Sequence, residues 1–139
     1  MKDITISAGL FIKYNDKVLL VHPSDAPSWY GSFGLPKGKL ENGEDKLDAA
    51  IRETYEETGM YIDKSDVNKR EYVVRYKDKD GRTYKKVFYY IVELNKIDDL
   101  VLPKDQLQLS EIDWAEFMDK DEAQYRIFWR QENVLRHLN

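Results

Sequence analysis

The chain has 139 residues, 35% of them charged and 42% hydrophobic, with a formal net charge of −4 and no cysteine. That is enough for one domain with one core, in the composition range of an ordinary globular protein. It excludes a disulfide scaffold, a thiolate metal centre and the strongly basic balance of a general duplex binder. Residues 1–20 hold no basic-then-apolar leader and no apolar run is long enough to span a membrane, so the expectation is a cytoplasmic protein working without a membrane.

Taken in chain order, residues 4–14 and 17–22 read as two strands around an Asn15-Asp16 turn, followed by a loop over 24–28 beside Pro23 and Pro27. Residues 32–35 read as a short strand, and a loop opens at Pro36-Lys37-Gly38-Lys39 and runs to about Glu44. A helix is expected over 45–58, with acidic residues at its start favouring the dipole and Gly59 as a left-handed stop. Strands over 71–76 and 82–94 flank the hairpin signal Asp80-Gly81. A long loop over 95–108, a strand over 112–117, a helical turn over 119–125 and a helix over 128–138 complete the reading. Phe128, Leu135 and Leu138 share a face of that last helix. No repeat or low-complexity tract interrupts the chain, which reads as a mixed α/β domain over residues 1–139.

The helix over 45–58 carries the chemistry. A helix turns about 100° per residue, so Glu53, Glu56 and Glu57 fall on one stripe, with Ala49 and Ala50 too small to crowd it. Leu47, Ile51, Thr54, Tyr55 and Thr58 fall opposite and read as the buried face. Clustered carboxylates repel one another unless a cation joins them, and hard oxygen ligands suit magnesium or manganese. The alternative meaning of such a stretch is a solvated acidic surface.

From Gly38 to Met60 the spacing resembles the Nudix hydrolase signature, G-x5-E-x7-R-E-U-x-E-E-x-G-U, where U is a bulky apolar residue. Gly38, Glu44, Arg52, Glu53, Glu56, Glu57 and Gly59 supply its fixed letters, Met60 its last apolar position, and Thr54 departs at the first, where its methyl can still pack. The resemblance implies an α/β/α sandwich around a mixed β-sheet. It also implies a divalent-cation-dependent hydrolase of diphosphate bonds, with the Gly38 carbonyl able to face the metal.

For that chemistry Glu56 and Glu57 are the first metal ligands, and Glu53 is the third ligand or the general base. Glu44 supports a ligand or coordinates through water. Arg52 holds its acidic neighbours in place or forms an ordinary surface ion pair. Lys37 and Lys39 contact phosphate or are solvated loop lysines. Some members of the family take the base from a later loop, which makes Glu111 the alternative base. His22 and His137 have no ligand spacing and read as structural or exposed.

Three further stretches are similar to diadenosine polyphosphate hydrolases: Phe33-Gly34-Leu35-Pro36-Lys37-Gly38, the strand from Lys85 to Glu93, and Trp114 with Asp121-Glu122-Ala123 before a last helix. The same patterns occur in inositol-diphosphate and RNA 5′-end pyrophosphohydrolases. They point to a small-molecule nucleotide partner, a dinucleoside polyphosphate first, with an RNA 5′ end, a nucleotide-sugar or a nucleoside triphosphate as alternatives. A non-catalytic nucleotide-binding module is the reading from a different class. Tyr89 and Tyr90 point to opposite faces of a strand, so one could stack on a base while the other packs in the core. Trp29, Phe33 and Trp129 read as packing residues.

Overall fold

In a computed structural model the described residues are 3–26, 31–95, 112–128, 131 and 134–135. Six stretches of these are strands: β1 (Thr5–Tyr14), β2 (Lys17–Pro23), β3 (Lys37–Lys39), β4 (Val67–Lys77), β5 (Thr83–Glu93) and β6 (Ile112–Asp119). Two are α-helices, α1 (Lys46–Thr58) and α2 (Lys120–Arg126). The strands form a six-stranded sheet of order β4-β5-β1-β2-β6, with β3 paired to β1 off this path. β1 runs parallel to β5, and the remaining pairs are antiparallel, so the sheet is mixed.

Burial explains the layering. Residues 7–12 of β1 are all buried, as a strand covered on both faces must be. Ala8, Leu10 and Ile12 pack with Leu19, Tyr90 and Val92 beneath Leu47, Ala49 and Ala50 of α1. Phe11, Val18, Leu20, Val87 and Tyr89 point the other way and pack on Ala123, Ile127, Val134 and Leu135. Helical residues thus cover both faces of the sheet, the sandwich that the signature implies.

β1 and β2 are joined by the Asn15-Asp16 turn, with Asn15 at φ 53°, a conformation Asn adopts more easily than most residues. Their ladder pairs Lys13 with Val18 and Tyr14 with Lys17. Farther along, the segment from Phe33 to Lys39 lies between them: Gly34 exchanges two backbone bonds of 2.8 Å with Val21, and Leu10 N–H donates to the Pro36 carbonyl at 3.2 Å. β3 then pairs Ser7 with Lys39, Ala8 with Gly38 and Gly9 with Lys37. The loop expected from Pro36 is therefore part of the sheet. The strand expected over 32–35 is reduced to isolated bridges at Phe33 and Gly34. Pro36 has no N–H to extend a ladder through this point.

α1 begins one residue after its expected start. Asp45 is the N-cap, accepting from the N–H of Leu47 at 3.1 Å and of Asp48 at 3.4 Å, and Gly59 closes the helix at φ 78°. Its buried face differs from the expected one. Ala49, Ala50 and Glu57 are buried while Tyr55 is 48% exposed. At about 100° per residue the apolar arc is centred near Ala50 and Thr54, so the acidic stripe borders the sheet and Tyr55 falls opposite. Thr54 keeps its hydroxyl satisfied on the Ala50 carbonyl at 2.8 Å while its side chain is fully buried.

β4 begins earlier than expected, at Val67, and carries register shifts between Asn68 and Glu71 and between Tyr76 and Lys77. Within 128–138 only Phe128, Gln131, Val134 and Leu135 are described, the last three of them buried. The expected loop over 95–108, Leu138, Trp29 and Trp129 lie wholly or largely outside the described residues.

The tightest backbone approach is at Gly9, where an added Cβ would strike the Pro36 carbonyl and come within 2.8 Å of Lys37 Cβ and 3.0 Å of Tyr89 Cε1. Gly9→Ala is expected to cost about 1–3 kcal/mol, the range for overpacking a tight core, read as a lower urea midpoint with unchanged slope.

Candidate active site

The site forms where β3 meets α1. Gly38 sits directly under Glu53, so close that a Cβ at position 38 would fall inside the Glu53 carboxyl group. The register puts Gly38 beside Ala8 on the α1 side of the sheet and Lys37 beside Gly9 on the other. One turn beyond Glu53, Glu57 is only 5% exposed. Its carboxyl is hydrogen-bonded to that of Glu53 and receives a backbone bond from Lys37. Burial, and then the neighbouring Glu53 charge, push the Glu57 pKa from the usual 4.5 up to about 9. Burial raises Glu53 as well, against the pull of Arg52. Burial and the adjoining carboxyl thus favour a proton on the Glu53–Glu57 pair where no cation is bound.

Arg52 organises the acids around this pair. Its Nε and Nη2 grip Glu44 at 2.8 and 2.9 Å, and its Nη1 reaches Glu53 at 2.9 Å and Glu56 at 3.1 Å. Nη2 also donates to the Lys39 carbonyl at 3.1 Å, tying β3 to α1. The two-pronged contact holds Glu44 below the usual carboxylate range, and a backbone bond from Glu41 helps. Both Glu44 oxygens are thereby engaged. Glu56, with 37% of its side chain exposed, is turned to Arg52 rather than to Glu57. Among the described residues no three His, Asp or Glu side chains stand together in ligand geometry in this arrangement.

The donor set nonetheless fits a hard dication. The Glu53 carboxyl lies over a glycine whose missing side chain leaves it room, and the Glu57 carboxyl adjoins it, a pairing of hard oxygen donors that a dication would relieve. Glu57 also reaches a hollow of about 550 Å³, together with Lys37, Lys85, Phe33, Leu35, Tyr76 and Phe128. Lys85 lies beside Lys37 and Lys39; burial first, then those cations, lower its pKa to about 8. Its ammonium rests 4.9 Å from the Tyr76 ring centroid.

The expectation that Tyr89 or Tyr90 offers a face to a base is not met. Tyr89 is fully buried and Tyr90 is 4% exposed, and neither lines the hollow. Tyr90 donates to Glu71 at 2.6 Å, which also pairs with Lys46 at 2.7 Å. The aromatic walls are instead Phe33, Tyr76 and Phe128. Reasoning from sequence missed Lys85, Tyr76, Ser32 and Gln131. Alternation gave a signal for Lys85, which shares a strand face with Val87 and Tyr89. For Gln131 the signal is a polar residue three after Phe128 and four before Leu135, on an apolar stripe. His22 is buried with its ring 4.9 Å from Phe33, whereas His137 and Glu111 lie outside the described residues.

Compared with known families, residues 3–138 match the NUDIX domain. The chain belongs to that family. The Nudix chain is 28% identical to the C. elegans Ap4A hydrolase of a binary complex, with a TM-score of 0.69 over 96% of this chain and 93% of that one. It is 34% identical over 87 residues to the Schizosaccharomyces pombe mRNA decapping complex subunit 2, covering 63% of this chain but only 11% of that protein. A Dinoroseobacter shibae RNA pyrophosphohydrolase is 41% identical over 46 residues, 33% of this chain and 26% of its own. Nudix hydrolases generally use divalent metal ions. No helix among the described residues is long and apolar enough to cross a membrane.

The buried pair has a pH signature. Folding raises the Glu57 pKa from 4.5 to about 9, so between those values the folded chain keeps a proton that the unfolded chain has lost. Its contribution is complete below about pH 4.5 and disappears as pH rises through about 9. Without added metal, the urea midpoint is expected to fall between pH 5 and 9. Glu57→Gln, neutral throughout, is expected to flatten most of that slope. A wild-type midpoint insensitive to pH across this range contradicts the burial of Glu57.

Proposed function

We propose that this Nudix domain is a divalent-cation-dependent pyrophosphohydrolase. It cuts a diphosphate bridge in a nucleoside-bearing substrate by attack of water on phosphorus, and a dinucleoside polyphosphate is the first substrate. One observation carries the reading: a single hollow joins the buried acid Glu57 and the cations Lys37 and Lys85 to an aromatic wall of Phe33, Tyr76 and Phe128. A diphosphate-linked nucleoside has this same sequence of chemistries, anionic at one end and flat and apolar at the other.

Glu53 and Glu57 would hold a magnesium or manganese ion, with Glu56 and the Gly38 carbonyl able to complete the oxygen set. When bound, the ion relieves phosphate charge and acidifies water. Lys37, Lys39 and Lys85 neutralise and orient the phosphate chain. Arg52 fixes the carboxyls of Glu53 and Glu56 from one side, and Glu44 holds Arg52 in turn. The base that takes the water proton is Glu53 where it is not itself a ligand, and Glu111 otherwise. The whole of 1–139 acts as one domain, in the cytoplasm.

A second reading keeps the reaction and takes the 5′ end of RNA as substrate. The likeness to the decapping subunit over 87 residues favours it. A panel of dinucleoside polyphosphates, nucleotide-sugars, nucleoside triphosphates and 5′-triphosphorylated RNA, run in oxygen-18 water with mass-spectrometric analysis, separates the readings and identifies the attacked phosphorus. RNA turnover inhibited steeply by salt favours the second. Intact substrates throughout, in both magnesium and manganese, reject hydrolysis.

Glu57→Gln is expected to remove metal-dependent turnover with the fold retained by circular dichroism. Lys85→Ala is expected to raise KM about 10–100-fold with little change in kcat, the range for losing one charge-assisted hydrogen bond. Because Lys85 loses its charge near pH 8, wild-type KM is expected to climb above that pH, and the Lys85→Ala profile to lack the climb.

A further inference from the structure

The two ends of the Gln131 side chain have different duties. Gln131 is 3% exposed, and its Oε1 accepts from the Leu35 N–H at 2.9 Å. An N–H must face an oxygen, so this bond fixes which end of the carboxamide is which. The carboxamide also lies against Gly34, where a Cβ would come within 3.1 Å of Oε1 and 3.2 Å of Nε2. Gln131 lines the same hollow as Glu57, and its remaining –NH2 can only donate. Ser32, in the wall of that hollow, has a buried hydroxyl with no partner among the described residues. Orphaned buried hydroxyls are uncommon and call for an occupant or a role.

Around these two polar groups stand Phe33, Tyr76 and Phe128. A flat aromatic ligand can lie along that apolar wall, and acceptors on its edge can receive the –NH2 hydrogens. We infer that Gln131, with Ser32 in the wall of the same hollow, reads the edge of the substrate's base and selects guanine over adenine. Guanine presents N7 and O6, both acceptors, on one edge, whereas adenine sets an amino donor beside its N7. Against adenine, the donor-only end of Gln131 finds a single acceptor, N7, with an amino donor where guanine has O6. This inference rests on the nucleotide reading above and adds the identity of the base to it.

Calorimetric titration of the wild-type protein with guanosine and adenosine 5′-(β,γ-methylene)triphosphates, in magnesium, tests it without needing turnover. The guanine analogue is expected to bind about 5–100-fold more tightly, the range for one well-paired base edge. Gln131→Glu keeps an oxygen for the Leu35 N–H and turns the free end into an acceptor, so the preference is expected to vanish or reverse. Ser32→Ala leaves Gln131 in place and is expected to weaken the guanine analogue more than the adenine one. Parallel turnover of the diguanosine and diadenosine tetraphosphates is expected to show the discrimination in kcat/KM. Equal wild-type affinities, no binding of either analogue, or a guanine preference that survives both substitutions overturns the assignment. Discrimination in binding without turnover of any substrate leaves the base reading standing and rejects the hydrolase. Turnover with no preference between the bases does the reverse.

Discussion

Two carboxyl groups share a space in which burial and mutual repulsion oppose the ionisation of both. Glu57 is buried against Glu53, and Glu53 in turn is pressed onto the backbone of Gly38. Arg52 does not relieve the pair fully, because its guanidinium is already divided among Glu44, Glu53 and Glu56. The remaining charge must be met by a proton or by a cation from solution. Most other features near the site follow from holding that arrangement: a glycine where a side chain would collide, a helix capped at both ends, and a strand inserted between β1 and β2 to bring the glycine under the helix.

The fold itself does not depend on these charges. Leu10, Phe11 and Ile12 are completely buried in β1, and each such side chain stabilises by about 1.5–3 kcal/mol. A solvent-facing ion pair contributes about 0–1 kcal/mol, and Lys17–Asp119 is of that kind. The Arg52 network is better placed, with one two-pronged contact and limited exposure, and its main effect is geometric. It fixes the direction of the carboxyls and joins Lys39 to α1. The apolar sheet supplies the stability with which an otherwise unfavourable cluster of acids is held in place.

Local chemistry was legible in the sequence, and long-range assembly was not. Asp45 and Gly59 marked the ends of α1 to within a residue because caps are local. The polar spacing from Gly38 to Met60 carried the family, and hairpin turns announced β1, β2 and β5. The strand character of Lys37–Lys39 could not be read, since it comes from β1, distant in sequence. Tyr55 reads as core because it falls opposite the metal-binding stripe of acids, but the helix is rotated so that the stripe borders the sheet and Tyr55 is exposed. Tyr89 and Tyr90 were candidates as aromatic residues on a strand near the site, but both faces of that strand are covered. The aromatic wall was gathered from the Phe33 segment, β4 and Phe128, which no spacing rule connects.

The outer strand β4 leaves one more mark on the molecule. It ends the strand order, carries a register shift at each end of its main ladder, and exposes Lys69, Arg70 and Arg75. A straight, apolar margin would offer its free amides and carbonyls to a second chain and seed fibrous association. Here the irregular backbone and a mainly basic fringe, with Glu71 as its one acid, disfavour such a guest. Even at high concentration, the margin formed by β4 is poorly suited to growth by strand addition.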